Sequence, residues 1–150
     1  MDEIRDLYQE VILDHNKNPR NFTRMEDADA VLEGYNPLCG DHYTFYVKFE
    51  GDTIHAVSFE GSGCAISKAS ASIMSAALKG RSRAEAERLF ELFTSIVTGK
   101  IDPVEHVAEL GKLAAFAGVA EFPVRVKCAT LPWHTLHGAM QGTGDRVSTE

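Results

Sequence analysis

The stretch HYTFYVKFEGDTIHAVSFEGSGC, residues 42–64, decides the fold. Two runs rich in aromatic and β-branched residues, 43–49 and 53–59, flank the turn sequence EGD, which is typical of a β-hairpin. The first run carries an apolar side chain at every second position, namely at Tyr43, Phe45, Val47 and Phe49. A strand with this alternation buries one face and leaves the other more polar. The stretch therefore predicts an antiparallel sheet that is covered on one side.

Patterns before and after the hairpin indicate the fold class. A helical stripe of apolar residues ends near NKNPRN, residues 16–21, and residues 28–36 predict a short strand. After the hairpin we expect three helices, at about Ser67–Leu78, 82–99 and 102–118, and a last helix that begins near Pro132. This order of helix, strands and helices predicts an α+β fold, in which helices pack on one face of a small antiparallel β-sheet.

Composition narrows the class of protein. The chain has 150 residues, which suits a single domain over 1–150, and its polar end at 142–150 predicts a frayed tail. The net charge of −7 argues against a nucleic-acid-binding surface. The apolar runs are too short for a membrane span, and the acidic start does not resemble a signal peptide. We therefore expect a cytoplasmic protein in a reducing compartment.

Three cysteines carry the chemical signal. An odd count in a reducing compartment favours metal binding or thiol chemistry over disulfides, although buried cysteines without a function would also fit. Cys39 lies in the turn-like NPLCGD, residues 36–41, two positions before Asp41. Cys64 lies in a glycine loop before a predicted helix, where the helix dipole favours a thiolate, and Cys128 is expected at the approach to the last helix.

The predicted hairpin brings two of these positions together. Antiparallel strands that are joined at one end have their outer termini together at the other, so Cys39 and Cys64 should lie at the same end of the sheet. Three thiolates and Asp41 would make the four ligands that tetrahedral Zn²⁺ takes, and they would also accept Fe²⁺ or an iron–sulfur cluster. A purely structural zinc site and a cysteine–histidine hydrolase fit the residues less well. Of the six histidines, only the pair His134 and His137 has a spacing that could suit a metal, and a role there is not favoured.

Four motifs resemble a known family. They are YQEVILDHNKNPRN at 8–21, NPLCGD at 36–41, FEGSGCAISKASASIM at 59–74 and FPVRVKCATLPW at 122–133. Together they look like the SufU branch of the U-type iron–sulfur cluster assembly proteins, which are relatives of IscU. The similarity extends from about Leu7 to Met140.

The resemblance implies a metal site, a reaction and partners. Its metal ligands would be Cys39, Asp41, Cys64 and Cys128. Cys39 would be the catalytic residue of a zinc-dependent sulfurtransferase, and would accept persulfide sulfur from a SufS-type, pyridoxal-phosphate-dependent cysteine desulfurase. A histidine of the desulfurase would displace Cys39 from the zinc. Downstream SUF assembly proteins would then receive the sulfur.

Two features separate this chain from the IscU branch. Lys127 stands where that branch has a histidine before its last cysteine, and the segment between Cys64 and Cys128 is several helical turns longer. Both departures resemble SufU and favour sulfur transfer with bound Zn²⁺. The alternative is a scaffold that assembles a transient iron–sulfur cluster on the same ligands. Arg125 could stabilise a thiolate or persulfide near Cys128, or could be an ordinary surface residue.

Overall fold

The computed structural model describes residues 2–37, 39–141 and 146–148. Its helices and strands follow one another as α1 (Asp2–Lys17), β1 (Ala30–Asn36), β2 (Asp41–Glu50), β3 (Thr53–Ser62), α2 (Ala65–Leu78), α3 (Arg83–Val97), a 3₁₀ turn (Pro103–His106), α4 (Val107–Leu110), a longer 3₁₀ segment (Gly111–Glu121), α5 (Pro123–Gln141) and β4 (Arg146–Ser148). The predicted α+β fold is confirmed. No helix in the described ranges is long and apolar enough to cross a membrane.

The sheet has the strand order β3-β2-β1-β4. Strands β1, β2 and β3 pair antiparallel, as the sequence predicts, whereas β4 lies parallel to β1. In this register Asn36 of β1 pairs with Asp41 of β2, and His42 of β2 pairs with Ser62 of β3. The end of β1, the start of β2 and the end of β3 therefore meet at one end of the sheet.

Aromatic side chains of the hairpin form the centre of the core. Tyr43, Phe45 and Phe59 are fully buried, and the rings of Phe45 and Phe59 stack with their centroids 5.8 Å apart. Helices α2 and α5 contact the sheet, and Trp133 of α5 stacks on Phe93 of α3 at 4.8 Å. Helix α3 begins with the predicted capping box, in which Ser82 and Glu85 bond each other's backbone N–H groups.

The last helix begins earlier than the sequence predicted. Helix α5 begins at Pro123, so Pro132 and Cys128 both lie inside it, and the prediction that Cys128 precedes the helix is wrong. Proline suits the first position of a helix because its missing N–H needs no partner there. The sequence pattern indicated Pro132, rather than Pro123, as that first position. Inside the helix, Pro132 removes the N–H that would bond the carbonyl of Cys128.

Two further expectations differ from the structure. The helix predicted from Asp102 is mostly 3₁₀, and Gly111 interrupts it with a φ of 55°. In the predicted tail, residues 146–148 pair with 33–35 of β1 instead of fraying, because β1 offers them an open edge. The other tail residues, 142–145 and 149–150, lie outside the described residues.

Gly34 tests how closely β1 approaches α5. A Cβ built on Gly34 would overlap Thr135 Oγ1 and would come within 3.4 Å of Leu131. We expect Gly34→Ala to lower the free energy of unfolding by about 1–3 kcal/mol, as overpacked cores generally do. Denaturant unfolding would measure this change. The additional substitution Thr135→Ala removes the overlapping atom and should recover part of the loss.

The matched control is Gly118→Ala, because a Cβ at Gly118 meets no atom within 4 Å. Its free energy of unfolding should stay within about 0.5 kcal/mol of the parent value. Equal stability of Gly34→Ala and Gly118→Ala would contradict the close approach of β1 and α5.

Candidate metal centre

The end of the sheet where β1, β2 and β3 meet carries the candidate site. The turn between β1 and β2 holds Cys39, whose N–H donates to the carbonyl of Asn36 at 3.3 Å. Gly40 completes the turn with a φ of 72°, which favours glycine. Asp41 is the first residue of β2, and Cys64 follows the end of β3. The structure thus brings Cys39, Asp41 and Cys64 to one end of the sheet, as their sequence positions predicted.

Cys128 reaches the same place from α5. Among the described residues, the ligand atoms of Cys39, Asp41 and Cys128 all lie within 4.8 Å of one another. The thiol of Cys128 donates a hydrogen bond to Cys39 Sγ at an S–S distance of 3.1 Å. Asp41 and Cys128 are buried, whereas Cys39 is half-buried. Cys39 is therefore the member of this group that a partner can reach.

Asp41 is held firmly by its neighbours. Its side chain is fully buried, and Oδ1 accepts hydrogen bonds from the N–H of Cys64 at 2.8 Å and from Ser67 Oγ at 3.0 Å. Oδ2 accepts a hydrogen bond from Asn36 Nδ2 at 3.3 Å. These bonds join β1, β2 and the start of α2 through one carboxylate. A buried carboxylate needs such donors or a cation, because desolvation penalises its charge.

Cys64 lies beside the group of three and caps α2. The N–H of Ser67 points at Cys64 Sγ, at 3.5 Å, so the thiol takes the place of an N-cap oxygen. This agrees with the expected position of Cys64 just before a helix. Unpaired N–H groups and the helix dipole stabilise negative charge on a sulfur in this position.

Gly63 leaves room for the hydrogen-bond network. A Cβ at Gly63 would come within 2.5 Å of both Asp41 Oδ1 and the hydroxyl of Tyr43, and within 2.6 Å of Ser67 Oγ. Ser67 Oγ also bonds the Tyr43 hydroxyl at 2.8 Å. Burial raises the pKa of Tyr43, which keeps this hydroxyl protonated and able to donate. Ser67, Tyr43 and Asn36 are thus supporting residues that the sequence analysis did not single out.

A sequence signal for two of these residues existed. Ser67 is three residues after the cap Cys64, the position that faces an N-cap side chain, and Asn36 opens the motif that contains Cys39. No local pattern linked Tyr43 to the site, since its alternation indicated only a core position.

The titratable groups of the site influence one another. Burial raises the pKa of the Cys128 thiol, and its hydrogen bond with Cys39 raises it further. Arg125 lines one pocket together with Cys39 and Cys64, and coulombic attraction, from Cys64 first, raises the pKa of Arg125. Arg125 thus faces the site rather than being an unrelated surface residue. A bound metal ion would supply additional positive charge and deprotonate the thiols.

The donor set fits a borderline-soft metal. Two thiols and a carboxylate converge within 4.8 Å, and both kinds of side chain are ligands that Zn²⁺ takes. Cys64, which is hydrogen-bonded to Asp41 through its backbone, is adjacent and offers a third thiol. The histidine pair lies elsewhere, because His137 stacks on Phe90 at 4.6 Å and its Nδ1 lies 3.0 Å from Glu87 Oε1.

The site opens to solvent on one side. Cys39, Cys64 and Arg125 line a pocket of about 600 Å³ together with Phe122 and Val124. The last two are exposed apolar residues, with 58% and 55% of their surface accessible. A second groove of about 940 Å³ lies beside Cys64 and is lined mainly by α1, α2 and the longer 3₁₀ segment. Apolar residues around an open thiol pocket are typical of a surface that binds another protein.

Comparisons with known proteins identify relatives over most of the chain. The sequence profile of the NifU-like N terminal domain matches residues 7–129. The "Iron-sulfur cluster assembly scaffold protein IscU" of Streptococcus pyogenes serotype M1 is 40% identical over 141 residues, which are 94% of this chain and 87% of the relative. The "Zinc-dependent sulfurtransferase SufU" of Bacillus subtilis (strain 168) is 42% identical over 130 residues, which are 87% of this chain and 86% of the relative.

A solved structure has the same fold. It is described as a candidate iron–sulfur cluster assembly scaffold for the SUF system of Fervidobacterium islandicum AW-1. The TM-score is 0.81 at 39% sequence identity, and the match covers 87% of this chain and 94% of that one.

Substitution of Ser67 tests whether its side-chain hydrogen bonds with Asp41 and Cys64 help these candidate ligands to bind a metal. We expect Ser67→Ala to weaken binding of zinc, used as a probe, by about 10–100-fold, because Asp41 and Cys64 lose a partner that orients them. Competition with a chromophoric chelator would measure the dissociation constant.

The matched control is Ser70→Ala on the same helix. Ser70 is also buried, but its hydroxyl donates to the carbonyl of Ala129 at 2.6 Å and does not contact Asp41. An equal loss of zinc affinity in both variants would mean that Ser67 acts only through general stability.

Proposed function

This chain belongs to the family of the NifU-like N-terminal domain, and from that premise we propose that it is a zinc-dependent sulfur acceptor of iron–sulfur cluster biogenesis. It takes persulfide sulfur onto Cys39 from a SufS-type, pyridoxal-phosphate-dependent cysteine desulfurase and passes it to downstream SUF assembly proteins. The observation that supports this best is the position of Cys39, which lines an open pocket while its Sγ lies within 4.8 Å of two buried ligand atoms. A cytoplasmic location, where thiols stay reduced, suits this role.

The proposed metal ligands are Cys39, Asp41, Cys64 and Cys128. When bound, zinc would keep the thiols deprotonated at neutral pH without redox chemistry of its own. Asp41 would be the hard, weak ligand that eases the exchange of Cys39, and its three hydrogen bonds keep it in place whether or not Cys39 is coordinated. Cys39, in a turn rather than a helix, is the ligand that can move most easily.

The transfer step is a thiol exchange. The thiolate of Cys39 attacks the outer sulfur of the desulfurase persulfide, the S–S bond breaks, and the desulfurase cysteine leaves as a thiolate. Cys39 then carries the persulfide. Arg125 lines the same pocket and would stabilise the negative charge on the attacking and accepting sulfurs. Exposed Phe122 and Val124 at the rim offer apolar contacts for the partner.

One feature favours transfer over the scaffold alternative. By the resemblance, Lys127 stands where the IscU branch has a histidine before its last cysteine. The relatives do not decide between the two, since the one named a zinc-dependent sulfurtransferase is 42% identical and one named a scaffold is 40% identical. The scaffold alternative rests on the relatives named scaffolds, and it uses the same four residues to hold an iron–sulfur cluster. Anaerobically purified protein distinguishes the two, since zinc gives a colourless protein and a cluster gives a brown one with iron and sulfide.

Cys39→Ala tests the sulfur acceptor. Zinc-loaded parent protein should strongly stimulate cysteine turnover by a SufS-type desulfurase, and Cys39→Ala should lose that stimulation because no thiol accepts the sulfur. Alanine and sulfide production, with and without reductant, would measure turnover after zinc content is confirmed in both proteins. No stimulation by folded, zinc-loaded parent protein would overturn the proposed transfer for that pairing and make cluster assembly the leading function.

Substitution of Asp41 tests whether it is the weak ligand that eases the exchange of Cys39. Asp41→Ala should lose zinc and acceptor activity together, because the site loses an oxygen ligand and the acceptor for three hydrogen bonds. Asp41→Asn is the matched variant, since its amide oxygen can still accept from Cys64 and Ser67 while the charge is lost. Metal analysis and desulfurase stimulation are the readouts. An Asp41→Ala protein that keeps both zinc and full acceptor activity would refute this role.

A further inference from the structure

The closeness of Cys39 and Cys128 points to a second reaction of the site. Their sulfurs are 3.1 Å apart, which is inside ordinary van der Waals contact and about 1 Å longer than a disulfide bond. Both residues are free thiols in the structure. We propose that Cys128 is a resolving cysteine, which discharges a persulfide on Cys39 by forming a Cys39–Cys128 disulfide and releasing the sulfur as sulfide. This inference rests on the proposed function in taking Cys39 as the sulfur acceptor.

The step balances with the atoms that the site holds. Cys128 Sγ attacks Cys39 Sγ, the bond between Cys39 Sγ and its added sulfur breaks, and the proton of Cys128 goes to the departing sulfur, which leaves as hydrogen sulfide. The sulfur of Cys128 is oxidised to the disulfide level and the transferred sulfur is reduced to sulfide, while the sulfur of Cys39 stays at the disulfide level. A low-molecular-weight or protein dithiol then reduces the disulfide for another round. The two sulfurs already lie 3.1 Å apart, so the attack needs little movement of either residue.

The surroundings of the two sulfurs support this pairing. Asn36 Nδ2 contacts Cys128 Sγ at 3.6 Å and steadies it inside α5, while Cys39 lies in a turn that can close the remaining gap. Cys128 is buried and does not line the open pocket, so an external thiol reaches Cys39 more easily than it reaches Cys128. These are the positions expected of an accessible acceptor and an internal resolving thiol.

Cys64 is placed differently. Its Sγ faces the N–H of Ser67 at the start of α2, and it lies outside the group in which Cys39 and Cys128 are within 4.8 Å. The resolving reaction should therefore select Cys128. The reaction should occur in metal-free protein, because a thiol that is coordinated to a metal has its electron pair engaged and cannot attack.

The test follows a persulfide on the full chain under anaerobic conditions. Wild type and Cys128→Ser, both treated with a chelator, are loaded briefly with inorganic polysulfide and desalted. Intact mass, peptide mapping and sulfide release are then measured over time. Wild type should lose the added sulfur, release one sulfide per chain and yield a linked Cys39–Cys128 peptide. Cys128→Ser should keep the persulfide on Cys39.

Ser70→Ala, which keeps all three cysteines and lies outside the proposed ligand set, is the matched control and should discharge like wild type. Wild type that keeps its persulfide as long as Cys128→Ser, or that forms a disulfide through Cys64, would overturn the inference. In a parallel arm, the zinc-loaded chain is charged by a SufS-type desulfurase and then given the chelator. If no persulfide forms on Cys39 in this arm, but the persulfide formed with polysulfide is still lost as sulfide, the desulfurase partnership is refuted. The inference that Cys128 resolves a Cys39 persulfide is then still supported.

Discussion

The buried carboxylate of Asp41 is the constraint on which the site depends. Its oxygens accept hydrogen bonds from three places that are far apart in sequence: the side chain of Asn36, the backbone of Cys64 and the hydroxyl of Ser67. The antiparallel pairing of Asn36 with Asp41 positions the first of these, and the start of α2 positions the other two. The carboxylate is fully buried and has lost its hydration. The loss of any one hydrogen-bond donor would therefore leave its charge less well compensated and lower the stability of the fold. The strand ends, the helix cap and the cysteine turn are therefore stabilised together.

The same network gives the three sulfurs different chemistry. Cys64 is held by a helix N-terminus, Cys128 is enclosed within α5, and Cys39 remains in a turn that faces the open pocket. Equivalent sulfurs would suit a metal whose only task is to stabilise a fold. Here Cys39 could dissociate from a bound metal, whereas Cys64 and Cys128 are held in place. This asymmetry supports both the proposed transfer and the resolving reaction. Arg125 adds a cation on the open side only.

Much of this arrangement could be predicted from local sequence. The alternation at Tyr43–Phe49 predicted the hairpin, and the capping signals at Ser82 predicted the start of α3. Connectivity alone brought Cys39 and Cys64 to one end of the sheet, and the resemblance identified the family, which the comparisons confirm. The start of α5 was predicted wrongly because proline both begins and interrupts helices, and the local sequence does not distinguish the role of Pro123 from that of Pro132. The roles of Asn36 and Tyr43 were missed because they arise from contacts between distant segments. That the four predicted residues bind metal stays a prediction.

Pro132 has a consequence for how α5 can deform. Since it lacks an N–H, the carbonyl of Cys128 has no helical donor, and the part of α5 that carries Arg125 and Cys128 is joined to the rest by one hydrogen bond fewer. The remainder of α5 is anchored in the core through Trp133 and Leu136, both nearly fully buried. The helix can therefore bend at Pro132 more readily than at other positions. Because residues 128–131 before Pro132 are buried as well, such a bend would be small, and Cys128 would move together with the core rather than independently of it.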